Sequence, residues 1–261
     1  MPLRPDALLL LLPAALVLAL ASLPARAAGT DRYCLEQAEN IVIYVDRTTP
    51  YDEMDRQALI DGVSRVFESL SGGERFVMRT ITDAAVRSET LIRDCVPVCR
   101  SGGFLDDLFN ASCTEGVMLN DRKHLRTRIV EEMQALLGTF VEQPYSDIVA
   151  TIARTAPAEM RPAAANRFYL FTDLIENSPG LPGKDFFSLR NDRLLARLGE
   201  DGLVPALAGA DIRVFGVGRS GKPGRPPLDP ALLGKLEQFW LAYFDAAGAR
   251  LTIQQSLGAI D

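Results

Sequence analysis

The run Ile41-Val42-Ile43-Tyr44-Val45 is continuously apolar and mostly β-branched, and it stops abruptly at Asp46. That is the pattern of a strand covered on both faces, as found inside parallel sheets. It returns at Arg167-Phe168-Tyr169-Leu170-Phe171-Thr172, which is again followed by an aspartate, Asp173. Stretches of helical period lie between and after these runs. Met54 to Leu70 places Ala58, Leu59, Val63, Val66, Phe67 and Leu70 on one stripe and closes at Gly72-Gly73. Phe76 to Thr82 reads as a further strand. Arg122 to Phe140 reads as a helix, with Leu125, Ile129, Met133, Leu136, Leu137 and Phe140 facing inward. Ser146 is expected to N-cap a shorter helix through Thr155, because Asp147 falls in its first turn.

The rest of the chain continues this alternation. Glu176 to Asp185 is a polar loop, Asn191 to Ala208 is helical in character, and Ile212 to Val217 is a strand. Gly218 to Pro227 is a Gly- and Pro-rich loop. Asp229-Pro230 opens the last helix with proline at its first position, and that helix extends to Ala247. Gly248 caps it, and Ala249 to Gln254 is the final strand. Phe239, Trp240, Tyr243 and Phe244 fall together on this helix, the spacing of a core face. Strands alternating with helices predict an α/β fold with a doubly wound, mostly parallel central sheet and helices on both faces.

The first residues predict export. Arg4 precedes an apolar run from Ala7 to Leu23, and Ala25-Arg26-Ala27 offers small side chains where a signal peptidase reads them, so cleavage is placed after Ala27. The run is at the short edge of what spans a roughly 30 Å hydrocarbon core, and Pro13 interrupts it. The mature chain, 28–261, is read as one domain in the periplasm or secreted, with no stable membrane insertion. With the leader removed, the 28 basic and 34 acidic residues become 26 and 33, about −7 in net charge. A net-acidic chain without a basic block argues against nucleic acid.

Cys34, Cys95, Cys99 and Cys113 are an even set for an oxidising compartment and predict two disulfides in one of three connectivities. Three of them lie in a loop-rich stretch from about 87 to 115, read as a stapled insertion. The single His124 is not at metal-ligand spacing and reads as an exposed helix residue. Asn110-Ala111-Ser112 is a formal glycosylation acceptor read as chance.

In an open parallel sheet, ligands bind at the carboxyl ends of strands near the switch point of the strand order. Two strands here end in aspartate. Asp46, Thr48, Ser146 and Asp173 together would supply hard oxygen ligands suited to Mg²⁺, Mn²⁺ or Ca²⁺. The same residues also have ordinary local roles, the aspartates as turn caps and Ser146 as a helix cap.

From about Asn40 to Gln254, the order of elements and these residues resemble a von Willebrand factor type A domain. Its metal-ion-dependent adhesion site takes Asp-x-Ser-x-Ser after the first strand, a threonine from a second loop and an aspartate after the fourth strand. The resemblance implies that Asp46 matches the first aspartate, Thr48 the first hydroxyl, Ser146 the second-loop hydroxyl and Asp173 the last aspartate. Pro50 stands where the second serine is expected and has no hydroxyl, so one direct ligand is missing. Thr49, Tyr51 and Asp52 are the neighbours placed to compensate. The implied cofactor is Mg²⁺, or Mn²⁺ or Ca²⁺, and the implied partner is a protein whose acidic residue completes the coordination.

Gly216-Val217-Gly218-Arg219-Ser220-Gly221-Lys222 fits G-x-x-x-x-G-K, but Pro223 stands where a phosphate-binding loop needs Ser or Thr, so no nucleotide is expected. Arg219, Lys222 and Arg225 are read instead as a basic loop facing an acidic partner. There is no G-x-S-x-G elbow, and the chain is read as non-enzymatic. Two alternatives stand beside this interaction module. One is an extracytoplasmic metal-dependent hydrolase using Asp46 and Asp173; the other is a structural subunit of an envelope secretion or conjugation machine.

Overall fold

The computed structural model describes residues 30–99, 113–138, 141, 143–219 and 228–258. The leader, Phe140, Lys222, Arg225 and the Asn110-Ala111-Ser112 triplet lie outside the described residues. In chain order the elements are β1 (Asn40–Asp46), α1 (Glu53–Glu68), β2 (Arg75–Ile81), β3 (Thr90–Cys95), α2 (Glu115–Gly138), α3 (Ile148–Glu159), β4 (Asn166–Phe171), α4 (Gly183–Ser188), α5 (Asn191–Glu200), β5 (Asp211–Phe215), α6 (Pro230–Ala246) and β6 (Arg250–Gln254). Six strands form one sheet in the order β3-β2-β1-β4-β5-β6, and every pairing is parallel except β2 with β3. The fold class read from the sequence is the one observed.

Every residue of β1 is buried, as a strand paired on both edges and covered on both faces must be. Alternation along the strand sends Val42 and Tyr44 into one core and Ile41, Ile43 and Val45 into the other. The first core is closed by α3, α4, α5 and α6, with Phe239, Trp240, Tyr243 and Phe244 all buried in it, as their spacing predicted. The second is closed by α1 and α2, whose inner stripe is Leu125, Ile129, Met133, Leu136 and Leu137. His124 is exposed on α2, as expected.

Several boundaries differ from the sequence reading. Part of the stretch read as a loop insertion is β3, an antiparallel edge strand. The helix expected from Arg122 begins at Glu115. The one expected to reach Ala208 ends at Glu200, because Gly202 takes φ +67° and the N–H of Leu203 returns to Leu198 O while that of Gly202 returns to Gly199 O, a Schellman closure. Ser69 is the C-cap of α1, not Gly72-Gly73. Those glycines have φ of +120° and +93°, and a Cβ on Gly73 would lie 2.4 Å from Leu35 Cδ1, so they serve a close crossing of chain segments.

The amino ends of the strands are tied by one carboxylate. Glu159, buried at the end of α3, pairs with Arg75 and Arg79 of β2 and Arg93 of β3 at 2.5, 2.9 and 2.6 Å. Burial pushes its carboxyl up, but the arginines, Arg75 foremost, outweigh this and hold it below the usual glutamate range.

The cysteines pair as Cys34–Cys95 and Cys99–Cys113, which settles the open connectivity. Two disulfides fit an oxidising, extracytoplasmic compartment. Among the described residues, no helix is long and apolar enough to cross a membrane. The first bridge spans 61 residues of sequence and the second 14. By loop-closure entropy, replacing Cys34 and Cys95 by serine is expected to cost about 4 kcal/mol and replacing Cys99 and Cys113 about 3 kcal/mol. Urea unfolding of the two double variants checks both the sizes and the order.

Candidate functional site

The strand order reverses between β1 and β4, so the loops leaving their carboxyl ends diverge and leave a crevice there. All four residues singled out from the sequence converge on it. Asp46 is fully buried; its Oδ1 accepts from the Thr48 N–H at 2.8 Å and from the Thr48 hydroxyl at 2.6 Å. The Thr48 hydroxyl is also 2.7 Å from Ser146 Oγ, which brings the second loop into the cluster. Thr172 donates its hydroxyl to Asp46 Oδ2 at 2.6 Å. Asp173, also buried, accepts from the Ile175 N–H at 2.9 Å and from the Thr49 hydroxyl at 2.7 Å.

Of the three neighbours of Pro50, Thr49 alone brings its side chain to these carboxylates. The Tyr51 hydroxyl donates to the backbone oxygen of Asp46 at 2.8 Å, and Asp52 caps α1 by accepting from the Asp55 N–H. A hydroxyl one residue before Pro50 therefore reaches the carboxylate cluster. Thr172 lies just past the end of β4, and its place beside Asp173 is the signal the sequence offers for it.

Ser146 does not cap α3. Its N–H donates to Asn177 O and its carbonyl accepts from the Asn177 N–H, an isolated bridge that pins the Ser146 loop to the loop after β4. The N-terminus of α3 is capped from that same loop. Glu176 Oε2 accepts from the N–H groups of Ile148 and Val149, each at 2.9 Å. No local pattern announces a cap delivered from 28 residues away.

Leu174 has φ +60°, a left-handed conformation that a branched side chain rarely takes. Its carbonyl accepts from the Trp240 indole N–H at 3.0 Å, and the N–H of Gly218 donates to Asp173 O at the same distance. Packing from α6 and the β5 loop thus holds the strained turn that aims Asp173 at Asp46.

Arg219 corrects another expectation. It does not face outward but is 11% exposed, ion-paired with Asp55 of α1 at 2.6 Å, bonded to Pro50 O at 3.0 Å and seated 4.2 Å over the Tyr51 ring. Its Nε and Nη2 are buried without a hydrogen-bond partner.

Burial is the main cause that raises the carboxyls of both Asp46 and Asp173 above the usual aspartate range. The charge of Asp46 raises Asp173 further. The hydroxyl and N–H donors and the Arg219 charge oppose this without cancelling it. Two carboxylates and the hydroxyls of Thr48, Thr49, Ser146 and Thr172 are a hard-oxygen donor set whose negative charge is under-compensated, so the residues present fit a divalent cation. Among the described residues there is no cluster of three or more His, Cys, Asp and Glu side chains able to hold a metal.

Neither a known protein family nor a curated protein matches the sequence. Solved structures similar to the chain are found at low identity. They include a von Willebrand factor type A protein from Catenulispora acidiphila, with 13% identity and a TM-score of 0.45 over 86% of this chain and 40% of that one. An aerotolerance-related membrane protein from Bacteroides fragilis gives 8% and 0.41, over 85% and 94%. Proximal thread matrix protein 1 of the mussel byssus gives 11% and 0.41, over 87% and 46%. This chain therefore spans less than half the length of the first of these. The architecture is a mostly parallel six-stranded sheet between two helical layers.

Burial pushes the Glu176 carboxyl up to about 8. A carboxyl raised on folding binds its proton more tightly in the native state, so the contribution of Glu176 to stability is full below about pH 4.5 and is lost as pH rises through about 8. Asp46 and Asp173 act in the same direction. In EDTA the unfolding midpoint is expected to be higher at pH 5.5 than at pH 8, and Glu176→Gln should flatten the difference without removing it. A midpoint that rises from pH 5.5 to 8 would contradict the raised carboxyls.

Proposed function

We propose that this chain is a non-enzymatic protein-interaction module of the periplasm or the secreted space, and that its carboxyl sheet edge receives an acidic group of a protein partner through a divalent cation. The observation that carries the reading is the convergence of Asp46, Thr48, Ser146 and Asp173, from three separate loops, into one cluster of oxygens at the switch point. These four residues, with Thr49 in place of the hydroxyl lost at Pro50, would hold Mg²⁺, Mn²⁺ or Ca²⁺. Such an ion supplies a Lewis-acidic position open to an external carboxylate. The chain's own residues do the rest: Thr172 and Thr48 orient Asp46, Ile175 and Thr49 orient Asp173, and the Ser146–Asn177 bridge sets the spacing of the loops.

The test is thermal unfolding of the oxidised protein in EDTA and then in millimolar Mg²⁺, Mn²⁺ or Ca²⁺, beside Asp173→Asn. At a hundred times its dissociation constant, a bound ion stabilises the fold by about 2.7 kcal/mol, a rise of a few degrees. Asp173→Asn removes the like charge facing Asp46, so the variant is expected to fold, to be as stable as wild type or more so in EDTA, and to lose the response to metal. No rise with any of the three ions in the wild type would remove the metal from the proposal. A photo-crosslinker at Tyr145, exposed beside Ser146, then tests the partner: capture that Asp173→Asn abolishes supports the interface, and no capture in the cell envelope sinks it.

A further inference from the structure

A guanidinium lies against the carboxylate cluster and is bonded to neither aspartate. Arg219 gives Nη1 to Pro50 O at 3.0 Å and to Asp55 Oδ2 at 2.6 Å. Its Cζ is 4.2 Å from the centroid of the Tyr51 ring, and the Tyr51 hydroxyl donates to Asp46 O. The preceding residue, Gly218, donates its N–H to Asp173 O. The segment Gly218-Arg219 therefore grips both the loop after β1 and the loop after β4, which are the two loops that carry the aspartates.

A guanidinium keeps its proton at any ordinary pH, so this charge is permanent. Its ion-pair partner offsets it only in part: the Asp55 side chain is 25% exposed and that of Arg219 11%, so water screens the carboxylate more than the arginine. Nη1 faces Asp55, while Nε and Nη2, the opposite edge, are buried without a hydrogen-bond partner. Unpaired buried donors are costly. A clasp between the β5 loop and the start of α1 uses Nη1 alone, and it accounts for neither the permanent charge nor the unpaired edge. The charge is felt in the cluster, where it lowers the carboxyls of both Asp46 and Asp173 against the larger effect of burial.

We propose that Arg219 sets the strength of the cation site, so that a divalent ion is held more loosely than the carboxylates of Asp46 and Asp173 and the hydroxyls around them would hold it by themselves. This rests on the cation reading of the cluster. An ion among those oxygens enters beside a fixed like charge, in a region where burial leaves little screening. Without the ion, the same charge offsets part of the repulsion between the two carboxylates. Arg219 thus stabilises the empty site and opposes the filled one, which narrows the difference between them from both sides. The site then fills and empties with the external cation concentration instead of retaining its ion. Asp55 works in the opposite sense, because it offsets the charge of Arg219.

Calorimetric titration of the metal-free, oxidised protein with Mn²⁺ and with Mg²⁺ tests this in the wild type and in Arg219→Gln, Arg219→Lys and Asp55→Asn. Arg219→Gln is expected to bind the ion about tenfold or more tightly than wild type, and to unfold at a lower temperature than wild type in EDTA. Arg219→Lys keeps the charge and should bind as the wild type does. Asp55→Asn breaks the same clasp but leaves the arginine's charge unopposed, so it should bind more weakly. Asp55 is partly exposed in the first turn of α1, so this variant keeps the test open where Arg219→Gln does not fold, and equal or tighter binding by it overturns the proposal. A clasp role alone would move Arg219→Gln and Asp55→Asn in the same direction, and that result overturns it too. Binding by Arg219→Gln where the wild type takes neither ion supports the proposal and means that Arg219 closes the site. Binding by the wild type with no gain in Arg219→Gln overturns this proposal alone. No binding in any of the four proteins overturns it together with the cation reading.

Discussion

β1 is paired on both edges and covered on both faces, so a carboxylate at its carboxyl end has little access to water. Asp46 is placed there by the strand itself, and Asp173 is brought beside it by β4, the neighbour on the far side of the switch point. Burying two like charges together is unfavourable unless donors or a cation compensate. Much of the surrounding structure is arranged accordingly. Thr48, Thr49, Thr172 and the Ile175 N–H all donate to these carboxylates, and Arg219 adds positive charge without a direct bond to either.

The loops that carry these groups are held by elements far from them in sequence. Trp240 is a core residue of α6, yet its indole N–H fixes the carbonyl of Leu174 in the strained turn after Asp173. Glu176 closes the start of α3, and Arg219 reaches from the β5 loop to Asp55 at the start of α1. The site is therefore braced by the core beneath it, and changes in α6 packing reach it without touching a carboxylate.

What was legible in the sequence follows the range of the interactions. The runs before Asp46 and Asp173 are buried on both faces, so they read clearly as strands and placed both aspartates at the right edge. The helices with wide apolar stripes, such as Val63, Val66 and Phe67 in α1, read as well. β3 did not, because as an edge strand it alternates short of a full apolar face and the cysteines around it point to a loop. The overrun of α5 past Glu200 came from apolar residues, Leu203 and Leu207, that continue a helical period through a turn that Gly202 and Pro205 mark locally. Ser146 and Arg219 were misread for a different reason. Each has a common local role, a helix cap or an exposed loop cation, and each was recruited by a long-range partner.

The two ends of the sheet treat buried charge in opposite ways. At the amino end, Glu159 has three arginines, its acidity is enhanced, and the cluster is satisfied by the chain alone. At the carboxyl end, two carboxylates lie near one guanidinium that is bonded elsewhere, and both have raised affinities for a proton. The same sheet could have carried a further arginine at either end, as β2 and β3 show with Arg75, Arg79 and Arg93. Where charge serves only to hold elements together, the chain has closed the balance internally. The incomplete balance at Asp46 and Asp173 is the kind of deficit that an external cation and the partner group it draws in would complete.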